Sequence, residues 1–191
     1  MNSKMDTVNI ILCGTGGQGI LFMARVLAQA ALNKGFNVMG AETHGMAQRG
    51  GSVISHLRVG DVKSSLVRTG TAHFLLSLEE NEAYRNLPFL SRGARMYVNT
   101  NSKQFPREEA KNLLDKRKII YRSIPAGVLA QELGTPRASN LILLGYFSAF
   151  YEGPIQYKDI KMTIDAISPK RFKDINSKAF IAGYEKGIVF D

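Results

Sequence analysis

The residues with chemical reach sit in two glycine-bearing stretches near the start of the chain. Gly14-Thr15-Gly16-Gly17-Gln18-Gly19 has glycine at all three positions of a G-x-G-x-x-G turn. Thr7 to Cys13 before it is a short apolar, β-branched run, and Ile20 to Leu32 after it has helical periodicity. Strand, glycine turn and helix is the context in which this motif signals ligand binding. Backbone without Cβ turns sharply and lets a ligand come close. Amides of Gly14 to Gly19, with the positive end of the helix dipole behind them, then suit an anionic group, most often a diphosphate. The same pattern also serves a turn whose only task is to pack strand on helix. Glu42 ends a second apolar run roughly 20 residues past Gly19, where a nicotinamide-binding fold places the acid that accepts from a ribose. A carboxylate that merely caps the following loop would look the same.

The second stretch is Thr43-His44-Gly45-Met46-Ala47-Gln48-Arg49-Gly50-Gly51, polar and without apolar periodicity. Arg49 suits bidentate pairing with a carboxylate or phosphate, and Gln48 is a polar group beside it. His44 has a side chain able to move a proton near neutral pH. A loop-bracing hydrogen bond is the preferred role for His44, so no catalytic residue is assigned, and His44 and Arg49 stand only as candidates. His56 is expected to brace a hairpin, and His73 to begin a buried strand. No histidine lies at metal-ligand spacing from another ligand-type residue, and no metal site is expected.

Composition narrows the chemistry further. The one cysteine, Cys13, cannot form an internal disulfide or hold an iron–sulfur cluster, which takes four cysteine ligands. Its expected state is a small buried hydrophobe. The apolar run at Val8–Leu12 is too short for a signal peptide, and no stretch reaches the ~20 apolar residues of a membrane span. The expectation is a cytoplasmic protein that engages neither membrane nor nucleic acid. The 25 Lys and Arg against 16 Asp and Glu give a formal charge of +9, a field that favours acidic partners. The densest basic piece, Lys111 to Lys118, lacks interleaved aromatics and reads as a solvated helix face.

The elements that must position these groups alternate. After the first helix, closed by Gly35, strands are expected at Phe36–Glu42 and Ser52–Val59. A turn at Gly60-Asp61 with a return strand at Val62–Val67 would make a hairpin. Further strands are expected at Thr71–Leu78, Arg95–Asn99 and Lys118–Ile124. Helices are expected at Glu79–Leu87, Pro106–Leu114, Pro125–Gly134, Ser139–Tyr151, Lys158–Ile167 and Arg171–Lys186. The helix from Ser139 is apolar nearly all round and should be buried or lie at an interface. At 191 residues the chain suits one domain: α/β, three-layer and Rossmann-like, with a mostly parallel sheet plus an antiparallel hairpin.

Three segments together resemble a known family: Gly14 to Ile20, Glu42 to Gly60, and Asn140-Leu-Ile-Leu-Leu-Gly145. They are similar to the gamma-type subunit of 2-oxoacid:acceptor oxidoreductases, in particular the small (beta) subunit of indolepyruvate ferredoxin oxidoreductase. The resemblance spans essentially the whole chain, and its most specific part is His44–Gly51 with the strand after it. It implies an enzyme that oxidatively decarboxylates a 2-oxoacid to an acyl-CoA and passes electrons to ferredoxin. It also implies a large alpha subunit carrying thiamine diphosphate and the iron–sulfur clusters, so that this chain is one member of a hetero-oligomer, with a homodimer open to it in isolation. Gly14–Gly19 would then cradle a phosphate-bearing group such as that of CoA. His44, Gly45, Met46, Gln48, Arg49, Gly50 and Gly51 would face the partner's substrate chamber. Two other readings stand beside it: a stand-alone NAD(P) or flavin oxidoreductase, resting on the turn plus Glu42, and a scaffold that docks acidic ferredoxin through its positive charge.

Overall fold

The computed structural model describes residues 5–44 and 50–189. Six strands form one sheet in the order β2-β3-β1-β4-β5-β6. The strands are β1 (Val8–Thr15), β2 (Val38–His44), β3 (Ser52–Val59), β4 (Ala72–Ser77), β5 (Leu90–Asn99) and β6 (Ile120–Ile124). β1, β4, β5 and β6 are mutually parallel, while β3 runs antiparallel to both β1 and β2. β1 is central and buried from Asn9 to Gly14, as a strand covered on both faces requires.

One face carries α1 (Ile20–Asn33), α4 (Ala126–Glu132), α5 (Ser139–Ser148), α6 (Tyr157–Ile167) and α7 (Lys173–Ile188), which share a core with Ile10, Leu12, Phe74, Leu76 and Tyr97 of the sheet. The other face carries α2 (Glu80–Arg85) and α3 (Glu108–Lys116), over Ile11, Cys13, Leu75, Met96 and Val98. Alternate residues of the strands thus feed two separate cores, which is the three-layer α/β arrangement that the alternation of elements implies.

One element differs from expectation. Residues 62–67 form no strand, and the hairpin is instead β2–β3, joined through residues 45–51. The reason lies in the sheet: β3 is hydrogen-bonded on both sides, from Val8↔Val59 to Thr15↔Ser52 on one and from Val38↔Val59 to His44↔Val53 on the other. No edge of β3 is left for a return strand. The segment ends against the sheet face that carries α2 and α3, where Val67 is buried in that core, its N–H donates to His56 Nδ1 at 3.3 Å, and His56 meets Phe89 edge-on. His56 therefore braces a segment, as expected, though not a strand; burial pushes its pKa below the usual value.

α5 is buried at every position from Asn140 to Ser148, in keeping with its all-round apolar sequence. It lies against α7 at a backbone-to-backbone contact. A Cβ added to Gly145 would sit 1.9 Å from the Phe180 carbonyl oxygen, and one added to Gly183 would sit 1.9 Å from that of Ile142. Only glycine fits at these two positions.

Candidate functional site

The turn between β1 and α1 lies at the carboxyl ends of the parallel strands, where open α/β sheets take their ligands. Gly17 and Gly19 adopt positive φ, +98° and +85°, which non-glycine residues rarely do. Gly14 is needed for space instead: a Cβ there would meet the Gln18 Oε1 at 2.6 Å. That side chain folds back into the turn. Gln18 Oε1 accepts from the Thr15 N–H at 2.8 Å, and its Nε2 donates to the Leu78 carbonyl at 3.3 Å. Gln18 is thus a brace within the turn.

The Leu78 carbonyl also accepts from Asn99 Nδ2 at 3.1 Å, and Asn99 Oδ1 accepts from the Gly127 N–H at 3.0 Å. A row of carboxamides therefore ties together the ends of β1, β4 and β5 and the start of α4. Asn140 adds a third brace. Its Nδ2 donates to the Gly19 carbonyl at 3.3 Å, and a Cβ on Gly19 would meet that nitrogen at 2.4 Å. The segment Asn140–Gly145 thus joins the turn at one end and α7 at the other.

Tertiary structure brings the two glycine stretches together. The Gly16 N–H donates to the Gly51 carbonyl at 2.8 Å, and the Gly50 N–H points back to the Gly16 carbonyl at 3.5 Å. The β1–β3 ladder thereby runs on into the turn. Ser52 continues the anchor by donating from Oγ to Glu82 Oε2 at 2.6 Å, and Glu82 is also ion-paired with Arg85. Glu82 is 2% exposed, so this is a buried carboxylate under the loop's return. The sequence shows Glu82 only as one of several acids at a helix start. Neither Glu82 nor Asn99 carries a one-dimensional signal of its position.

The turn keeps an open side. No Cβ contact within 4 Å is available at Gly17, so its backbone faces free space. The hydrogen-bond ladder of α1 begins with Met23 N–H to the Gly19 carbonyl. The amides of the first helical turn, Ile20 to Phe22, are the usual donors without intrahelical acceptors. α1 has neither a side-chain cap nor an acid in its first turn. Its positive end is left unneutralised by its own sequence, as a site for an anionic group requires.

Other candidates fall elsewhere. Glu42 is exposed on β2, in register with Ser55 of β3 and, beyond it, Leu12 of β1. That places it two strand spacings, about 10 Å, from β1. In a dinucleotide fold the acid-bearing strand neighbours the first strand; here β3 lies between them. The structure does not bring Glu42 to the turn. His44 ends β2 with its backbone opposite Val53. Its side chain, and Gly45, Met46, Gln48 and Arg49, lie outside the described residues. Cys13 is fully buried, with Sγ 3.3 Å from Ser77 Oγ, and burial pushes its thiol up to about 12, so it is no nucleophile. Among the described residues no group of three His, Cys, Asp or Glu could hold a metal, and no helix is long and apolar enough to cross a membrane. A cleft of about 750 Å³ is lined by Ser102, Phe105, Arg107, Lys111 and Tyr121 and includes no residue of the turn.

Comparison with known proteins now bears on this arrangement. Residues 9–186 match the family described as pyruvate ferredoxin/flavodoxin oxidoreductase. The chain belongs to this family. It is 36% identical over 95% of its length to the indolepyruvate oxidoreductase subunit IorB of Archaeoglobus fulgidus, covering 96% of that protein. It is 34% identical to the subunit of the same name from Thermococcus kodakarensis, over 94% of this chain and 95% of that one. Among solved structures, the gamma subunit of a keto/oxoacid ferredoxin oxidoreductase from Geobacter sulfurreducens superposes with a TM-score of 0.74 at 21% identity, over 95% of this chain and 99% of that one. That likeness establishes a shared fold. Within the pyruvate ferredoxin/flavodoxin oxidoreductase family these relatives are named as subunits. The stand-alone NAD(P) or flavin reading is not favoured by any of these relatives.

Proposed function

We propose that this chain is the small subunit of an indolepyruvate-type 2-oxoacid oxidoreductase, and that its glycine turn and the 44–51 loop complete a site on a large partner subunit. The observation that carries the reading is the Gly16–Gly51 hydrogen bond. It makes one continuous rim of two segments that are more than thirty residues apart in sequence. In the overall reaction a 2-oxoacid and CoA yield an acyl-CoA and carbon dioxide, with two electrons passed to ferredoxin. Thiamine diphosphate and iron–sulfur clusters supply that chemistry and are assigned to the partner, because the lone thiol here is buried and protonated.

The role left to this chain is electrostatic and positional. The open amides at Gly17 and the start of α1 would hold a phosphate-bearing group such as that of CoA. Gln18, Asn99 and Asn140 fix the turn so that little reorganisation is needed on binding. Arg49 and His44, on the loop before Gly50, are assigned to the partner's chamber.

Co-expression with a large subunit carrying thiamine-diphosphate and cluster motifs tests the proposal. Indolepyruvate-dependent acceptor reduction should require this chain, and equal rates without it would overturn the assignment. Gly17→Ala tests the turn itself. Its new methyl meets no protein atom within 4 Å, but a φ of +98° is one that alanine rarely adopts, so the turn must shift locally; assembly should persist while KM for CoA rises about tenfold, as expected for loss of one charged hydrogen bond. An unchanged KM would make the turn purely structural.

A further inference from the structure

β2 is an edge strand of seven residues, and Glu42 is the one charged side chain among its described residues to blunt that edge. Soluble proteins blunt an exposed edge with lysine, proline, a bulge or a very short strand. Val38-Met39-Gly40-Ala41-Glu42-Thr43-His44 has no lysine and no proline, and its pairing with β3 runs without a register shift. Met39, Gly40, Glu42 and Thr43 are exposed. The strand leaves about 23 Å of unpaired backbone at its outer side.

Beside it, α1 presents a second unpartnered strip. Leu21, Arg25, Ala28 and Leu32 recur at helical spacing on one side, with Leu21 40% and Leu32 51% exposed. Between helix and strand runs a groove of about 400 Å³, lined among others by Leu21, Arg25, Ala28, Val38, Gly40 and Glu42. Arg25 and Glu42 share this groove, and neither has an ion-pair partner among the described residues.

We infer that this face is covered by a second copy of the chain, paired antiparallel through β2 about a two-fold axis near Gly40 and Ala41. The charge pattern decides between occupants. An isologous interface must be complementary to itself. This groove carries one cation near the middle of α1 and one anion a residue from the middle of β2, so both stay close to such an axis. Rotation then sets Arg25 of each copy against Glu42 of the other and Leu21 of each near Leu32 of the other. The two sheets would join into one of twelve strands, with every open amide of β2 paired. The inference rests on this face alone and is independent of the function proposed above.

Charge reversal tests it on the full-length chain by sedimentation velocity, up to about 100 µM and so well above the micromolar range of weak specific association. The wild type should be a dimer. Arg25→Glu alone and Glu42→Arg alone should each weaken the dimer at least tenfold, since like charges then meet twice across the axis. An equimolar mixture of the two variants should restore dimers, because each mixed pair places opposite charges together at both contacts. Both positions are exposed, and rescue by mixing itself shows that the variants are folded. A wild type that stays monomeric, a dimer indifferent to both reversals, or single variants that do not rescue each other would each overturn the inference.

Discussion

Two regions of this protein depend on glycine for different physical reasons. At the turn after β1, Gly17 and Gly19 are needed for their backbone angles, and the space beside Gly17 is empty. At the α5–α7 crossing, Gly145 and Gly183 have ordinary helical backbone and are needed for the volume they leave out. The first region is open to solvent and to a ligand. The second is sealed, and it sets the position of α5, whose first turn carries Asn140 onto Gly19. A turn built to stay open is thus held from behind by a backbone-to-backbone helix contact.

The sharpest way to break that comparison is to add one methyl at the crossing. Gly145→Ala and Gly183→Ala each drive a carbon into a backbone carbonyl. Each should destabilise the chain by about 3 kcal/mol, the upper part of the range for overpacking, only partly offset by better helix propensity. A loss of stability below about 1 kcal/mol, read from the urea midpoint and slope, would show that the helices part easily.

Asn140→Ala tests the link between the two regions. Asn140 is 5% exposed and makes hydrogen bonds to Gly19 and to the Leu141 N–H. Its loss should destabilise by about 2 kcal/mol. In the assembled enzyme it should also raise KM for CoA, and by more than Gly145→Ala does at a temperature where that variant stays folded, because Gly145→Ala displaces the Asn140 brace without removing it. Equal effects of both variants on KM would remove the distinction.

The smallest effect sharpens the contrast from beneath the turn. Cys13 lies directly before Gly14, yet burial, with Glu82 and Glu79 nearby, holds its thiol at about 12, above the ordinary value of an unfolded cysteine. The folded pKa is raised, so the stabilisation is complete below the unfolded value and is lost as pH rises from about 9 towards 12. Relative to Cys13→Ala, the wild type should lose on the order of 1 kcal/mol between pH 8 and pH 10. Parallel stability curves for the two proteins would show that the thiol is not sealed.

Much of the fold is legible in one dimension because its signals are local. The Gly14–Gly19 turn, the buried run of β1, the all-round apolar α5 and the Gly35 stop of α1 each follow from the residues within a few positions of them. The misplaced hairpin shows where this fails. Ser52–Val59 alternates as a strand should, but its pattern does not say that β1 and β2 would occupy both of its sides. Glu42 shows the same limit. Its distance along the chain from Gly19 suits a ribose-binding acid, and only the insertion of β3 moves it two strands away.

The amino-acid sequence by itself determined most of the elements, the glycine turn and the family resemblance, because periodicity, capping and backbone freedom are properties of neighbours in the chain. Tertiary structure alone decided that Gly16 meets Gly51, that Asn140 reaches Gly19, that Glu82 is buried under Ser52, and that β2 is left as an open edge. Each of these depends on which elements win the contest for a place in the sheet. That contest is settled by the burial of two whole faces at once, and no short stretch of residues carries its outcome.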